Sequence, residues 1–210
     1  MKQTIGIRLG IGFLLVLLIL ISLAIYSVLT GQQALKETVG RSSIMMAEEM
    51  MKGIDRSIYN TIELIQTHSK HLLLQDTVLE SNKAFEKVDD INKTIDQRDQ
   101  KTPFMKEIVS NKLSDSLREE FIAFYEKELG YRVIEEVFVT NRYGAIVAQT
   151  GKISDYRQDD EKWWQDARDS GFSVSRVEYD ESTTTHVIPV AVRVDDRSGN
   201  FIGMDHTSGT

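Results

Sequence analysis

Cysteine is absent from the 210 residues, which excludes disulfides, thiolate zinc sites, a cysteine nucleophile and a lipidated cysteine. Proline is scarce: 2 in the whole chain beside 13 glycines, too few for a collagenous or Pro/Gly-rich disordered polypeptide. Positive charge is in deficit, with 25 Lys+Arg against 32 Asp+Glu and a formal net charge of -7. No broad basic field exists to attract nucleic acid. The P-loop, the dinucleotide-binding glycine pattern, HExxH and G-x-S-x-G are all missing. The chain therefore reads as a non-enzyme with no catalytic residue and no cofactor, and a hydrolase with a dispersed triad is the weakest alternative.

What the chain has in abundance is a long apolar run. Between Leu9 and Leu29 no residue is charged. At about 1.5 Å per residue this stretch is long enough to cross a hydrocarbon core of roughly 30 Å as a helix. A cleaved signal peptide would have an apolar region of only about 7–15 residues followed by a small-x-small site. Here Ser22-Leu23-Ala24 lies inside the run, so an uncleaved membrane anchor is expected. Lys2 and Arg8 precede the span without an acidic neighbour, which favours a cytoplasmic N-terminus and an extracytoplasmic remainder.

Helical periodicity follows. Ile44, Ala47, Met51, Ile54, Ile58, Ile62, Ile65 and Leu72 recur in steps of three and four, apart from one larger gap near His68. The pattern predicts one helix over 33–79, with a stripe suited either to packing on a domain or to the seam of a homodimer. A polar stretch over 80–102 reads as a loop with some helical content. A second helix is predicted over 103–129, with Pro103 in its first turn and Gly130 ending it.

The period then shortens to two. Val133–Thr140 and Ala145–Thr150 read as strands around an Asn141–Gly144 turn, and a helix over 159–170 is predicted with Asp159 or Asp160 as its cap and Gly171 as its stop. Strand candidates at Phe172–Tyr179, His186–Val194 and Phe201 onward complete an α+β domain, one antiparallel sheet with helices on one face. Asp205 to Thr210 does not read as a continuation of the last strand. The expectation is an atypical tail over 205–210, a truncated or altered end that leaves an exposed sheet edge.

Candidate chemistry concentrates in Asp155-Tyr156-Arg157-Gln158-Asp159-Asp160-Glu161-Lys162-Trp163-Trp164. Helix neighbours differ by about 100°, so Trp163 and Trp164 cannot both face a core squarely. Indoles beside Tyr156 and Arg157 suit the wall of a pocket for a small amphipathic ligand, aromatic faces for apolar or cationic parts and a guanidinium for a carboxylate. A packed helix with a solvated charge cluster is the plainer alternative. Tyr179 and Asp180 close a strand, where Asp180 can meet a ligand ammonium or simply open a turn. His68 and His71, three apart, offer two metal ligands without an evident third. No metal site is expected.

These residues resemble the Cache (PAS-like) extracytoplasmic sensor domains of bacterial and archaeal membrane receptors, such as histidine kinases and chemoreceptors. The resemblance runs from the membrane helix through EEVFVTNRYGAIVAQT and SDYRQDDEKWWQDA to HVIPVAVRVDDRSGNFIG. It implies a domain over 80–204 that binds a small ligand between sheet and helix at Tyr156, Arg157, Trp163, Trp164, Tyr179 and Asp180. In amino-acid-binding members an arginine two residues before the aromatic pair grips the carboxylate, and a later aspartate grips the amine. Glu161 stands at the arginine position here, which leaves amines, amino acids and carboxylates all open. The implied role is the sensing portion of a signal-transduction receptor, homodimeric through the long helix and without its output domain. A membrane-anchored interaction module without a ligand is the alternative.

Overall fold

The computed structural model describes residues 5–99, 102–151, 155–180 and 184–209; the side chains of Ile5, Gly6, Arg8, Thr102 and Asp180 fall outside the description. Lys2 and Thr210 also lie outside it. The chain divides into two units, Met1–Arg56 and Ser57–Thr210.

The first unit is helical. Helix α1 (Ile5–His68) contains the apolar stretch and is long and apolar enough to cross a membrane. Apolar side chains from Leu9 to Leu29 are exposed, as are Met45, Met46, Met50, Met51 and Ile54 farther along.

The second unit is α+β. Its six strands are β1 (Ile134–Asn141), β2 (Ile146–Gln149), β3 (Phe172–Val174), β4 (Glu178–Asp180), β5 (Thr185–Asp195) and β6 (Phe201–Gly209). They lie in the order β2-β1-β6-β5-β3, with β4 also paired to β5, and every pairing is antiparallel. The segment after Met204 is thus no tail. Asp205 to Gly209 continue β6 between β1 and β5, at the centre of the sheet, and the expected exposed edge does not exist. Gly203 permits the close approach there, because a Cβ would lie 2.0 Å from the Thr140 carbonyl oxygen.

Helices cover both faces rather than one. Strand side chains alternate, and the alternation separates two packed layers. On one face Val137, Val139, Val194 and Ile202 meet Leu74 and Val78 of α2 (Leu72–Phe85), Leu113 and Leu117 of α5 (Lys112–Leu117), and Phe121. On the other face, Met204 and Ala191 meet Trp164 and Ala167 of α7 (Lys162–Ser170). Helices α3 (Ile91–Asp99) and α4 (Thr102–Val109) lie between α2 and α5 in sequence; Ile95 and Ile108 pack with Phe85, Ile146 and Tyr156.

The expected helix over 33–79 breaks. α1 stops at His68, and α2 begins at Leu72 behind His71, whose extended backbone (φ -63, ψ 136) makes no side-chain cap. Tight turn bonds from Lys70 N to Thr67 O and from His71 N to His68 O replace the helical pattern. The apolar stripe divides accordingly. Ile62 and Ile65 pack under Val190 and Val192, whereas Leu72 is exposed. The helix predicted over 103–129 is α4, α5, a π-helical turn at Arg118–Ala123 and α6 (Phe124–Leu129), ended as expected by Gly130 at φ 77. The cap of α7 is Glu161 rather than Asp159 or Asp160, and Gly171 ends it at φ 92.

Candidate functional site

Helix α7 packs across β6 because Trp164 is anchored. Its indole is 2% exposed, and Nε1 donates to Thr140 Oγ1 at 3.1 Å. With Trp164 committed to the core, the next-door Trp163 is turned toward another part of the sheet face, as helix geometry requires. Its ring lies 4.6 Å from the His206 ring and 5.8 Å from that of Phe138, while His206 stacks on Phe138 at 4.3 Å. Half-buried Trp163 therefore roofs a patch of β1 and β6.

Polar atoms lie within that patch. His206 is 7% exposed, Ser208 is 5% exposed, and both point to the α7 face two residues apart. Among the described residues, neither His206 Nδ1 nor Ser208 Oγ has a hydrogen-bond partner. Burial pushes the His206 pKa down to about 3, so the ring is neutral at ordinary pH. Glu136 faces Ser208 in register and accepts a hydrogen bond from Gln149 Nε2. A buried polar atom left unpaired costs about 1–3 kcal/mol, so two of them side by side form a place where a polar guest is stabilising.

The other expected site residues are dispersed. Tyr156 is buried, its backbone N–H donates to Asp99 Oδ1 at 3.1 Å, and its ring packs edge-on to Phe104. Burial raises its pKa, partly offset by the hydrogen bond and charge of Arg98. Arg98 itself lies over the rings of Phe85 and Phe104, at 4.7 and 5.0 Å. Tyr156 and Arg98 line an open cavity of about 560 Å³ between α2, α4 and β2, which Trp163, Trp164 and Arg157 do not reach. Arg157 is tied bidentately to Asp159 at 2.9 and 3.1 Å, which raises its pKa. Tyr179 is 54% exposed and meets His186 edge-on at 5.3 Å. The side chain of Asp180 lies outside the described residues.

The opposite face of β6 carries a second polar group. Asp205, fully buried, accepts from or shares a proton with His68 at 2.7 Å between Oδ2 and Nδ1. Burial opposes charge at His68, yet the hydrogen bond and charge of Asp205 outweigh it and raise the imidazole pKa. Burial raises the Asp205 carboxyl in turn, with His68 pulling the other way. The pair thus holds its shared proton more tightly than either group would in water.

Sequence reasoning did not select His206, Ser208, Glu136 or Asp205. The available signal was period-two placement of His206 and Ser208 after Met204, obscured by polar residues on both faces.

No family model matches the sequence, and no curated protein matches it. Solved structures do match. The structural neighbours are sensor domains. One is the extracellular domain of a histidine kinase, rpHK1S-Z16, at 14% identity and TM-score 0.35, covering 75% of this chain and 58% of that one. Another is the ligand-binding domain of the Campylobacter jejuni chemoreceptor Tlp3 with L-valine, at 16% identity and TM-score 0.31, covering 74% and 60%. A third is the ligand-binding domain of the Pseudomonas aeruginosa PAO1 amino acid chemoreceptor PctC with GABA, at 11% identity and TM-score 0.36, covering 73% and 60%. The chain spans about three fifths of the length of these structures.

Proposed function

We propose that the chain is the small-ligand-sensing part of a membrane signal-transduction receptor. Residues 9–29 would anchor it with the N-terminus cytoplasmic, and the sheet domain would be extracytoplasmic. The observation that carries the ligand-binding reading is the pair of buried, unpartnered atoms on one face of β6, His206 Nδ1 and Ser208 Oγ, with the half-buried Trp163 indole against the His206 ring. A neutral imidazole and a hydroxyl supply one donor or acceptor each, and the aromatic rings supply an apolar or cation-stabilising wall. The proposed ligand class is amines, amino acids and carboxylates. Of the site residues expected from the sequence, Trp163 is proposed as the central contact.

The test is thermal unfolding of the full chain in detergent micelles against panels of amines, amino acids and carboxylates. A ligand at about 100 times its Kd contributes about 2.7 kcal/mol, or roughly 5–10 °C in Tm for a unit of this size. Ser208→Ala, which removes only an unpaired hydroxyl, should abolish most of that shift while leaving the ligand-free Tm within about 2 °C. Absence of any shift across the panels, with Trp163→Ala altering folding alone, counts against ligand sensing.

A second reading, an anchored interaction module, draws on the exposed apolar stripe of Ile44, Met51 and Ile54. Pairing of two copies along this stripe is compatible with both readings. Crosslinking that is indifferent to every ligand would favour the module.

A further inference from the structure

We propose a divalent transition-metal site, of the zinc class, formed by His68, His71 and Glu120 and supported by Asp205. One donor atom from each of His68, His71 and Glu120 lies within 4.8 Å of the other two. An ion about 2.0–2.2 Å from each donor needs them roughly 3.3–3.8 Å apart. His71 Nδ1 and a Glu120 carboxylate oxygen are already 4.0 Å apart, and both side chains are exposed enough to close the remaining gap.

The support is what separates this group from an ordinary surface ion pair. His68 is buried, and its Nδ1 is taken by Asp205 on the central strand at 2.7 Å. That contact fixes the ring and leaves Nε2 as the coordinating nitrogen, the carboxylate–histidine arrangement that orients a metal-bound imidazole and strengthens it as a ligand. Phe121 sets its edge against the same ring at 4.8 Å between centroids, locking it from the other side. Glu120 comes from the π-helical turn Arg118–Ala123, a distortion of the helix ladder frequent at functional sites. A cavity of about 210 Å³, bordered by Leu64, Phe121, Phe124 and Tyr125, opens beside the three side chains.

Two imidazole nitrogens and one carboxylate select Zn²⁺ and its neighbours over Mg²⁺ and Ca²⁺, which prefer all-oxygen shells. Three protein ligands leave a fourth position for water. Bound metal would clasp the end of α1 to the turn before α2 and to the π-helical turn. The site lies on the face of β6 opposite Trp163, and its existence does not depend on ligand sensing there.

The experiment uses the full chain in detergent micelles, without a polyhistidine tag, stripped with chelator and held near neutral pH so that the imidazoles are free to bind. Co²⁺ is added and its visible d–d absorption recorded, then Zn²⁺ is used to displace it. The expected result is a saturating, one-equivalent signal typical of four- or five-coordinate Co²⁺, displaced by Zn²⁺ and indifferent to Mg²⁺. His71→Ala and Glu120→Gln, both at exposed positions, should each weaken binding at least tenfold, and Asp205→Asn should weaken it roughly 10–100-fold as a positioning residue. No d–d signal with the unaltered chain overturns the proposal. So does equal binding by His71→Ala and Glu120→Gln, which would mean an adventitious ion elsewhere.

Discussion

His206 is the residue whose protonation most directly reports the state of the sheet. Its folded pKa of about 3 lies below the ordinary 6.5, so the folded protein releases a proton that the unfolded chain keeps. The stability tied to this ring is therefore complete above pH 6.5 and is lost as pH falls from there toward 3, at about 1.4 kcal/mol per pH unit. Thermal unfolding of the full chain should show Tm dropping between about pH 6.5 and 5, and His206→Leu should flatten that part of the curve. In NMR spectra the His206 ring should not titrate between about pH 5 and 8, and a midpoint near 6.5 would show that the ring is solvated instead. Trp164 offers a second residue-level measurement. Trp164→Phe removes the bond to Thr140 and should cost about 1–3 kcal/mol, because the Thr140 hydroxyl stays buried. Trp164→Ala should cost about 3–5 kcal/mol through the cavity it leaves. Equal losses for the two variants would place the whole effect in the hydrogen bond.

At the scale of elements, the turn between β1 and β2 is the most constrained. Gly144 has φ 80, and a Cβ there would lie 2.4 Å from the Asp159 backbone nitrogen. Gly144→Ala should therefore destabilise the sheet by several times the roughly 1 kcal/mol typical of a point change, as measured by the shift in Tm. Elements with local signals were readable in the sequence. β1, β2 and β5 alternate or run apolar, and Gly130 and Gly171 stop their helices where a left-handed residue is needed. Two elements were not readable, for a shared reason. The break after His68 contains no glycine or proline, only the Ser69 hydroxyl donating to the Gln66 carbonyl; it coincides with the contact of His68 to Asp205, 137 residues away. The end of β6 looks like a loop because its polar residues are satisfied or framed by distant groups, with Asp205 meeting His68 and the Thr207 hydroxyl donating to the Glu136 carbonyl. The candidate site was half legible for the same cause. Neighbouring tryptophans announced that one indole would be left over, whereas the imidazole beneath it and the hydroxyl two residues on belong to the strand that local pattern could not identify.

At the scale of the whole molecule, the absence of cysteine becomes an experimental advantage. Single Met51→Cys and Ile54→Cys variants report pairing between copies without background thiols. If the exposed stripe of α1 joins two chains in parallel, oxidation in native membranes should give a disulfide-linked dimer at one of these positions and little at Lys52→Cys, an exposed position off the stripe. A monomer at every position would remove the homodimer from both readings of function. Membrane anchoring has its own measurement: the chain should remain with the bilayer after alkaline carbonate washing, whereas deletion of residues 9–29 should release it.

The central place of β6 has a further consequence for how the polypeptide is made. β6 is the last of the described strands to leave a ribosome, yet β1 and β5 both pair with it. Until residues 201–209 have emerged, the nascent chain holds two half-sheets, each with a bare edge where β6 will go. Closing the sheet joins β1 to residues some seventy positions later, a non-local step that is intrinsically slow. The unfinished edges are competent to pair with other chains in the interval. The domain therefore stays unassembled until residues 201–209 have emerged, and a factor that binds extended segments would act in the window before that strand inserts.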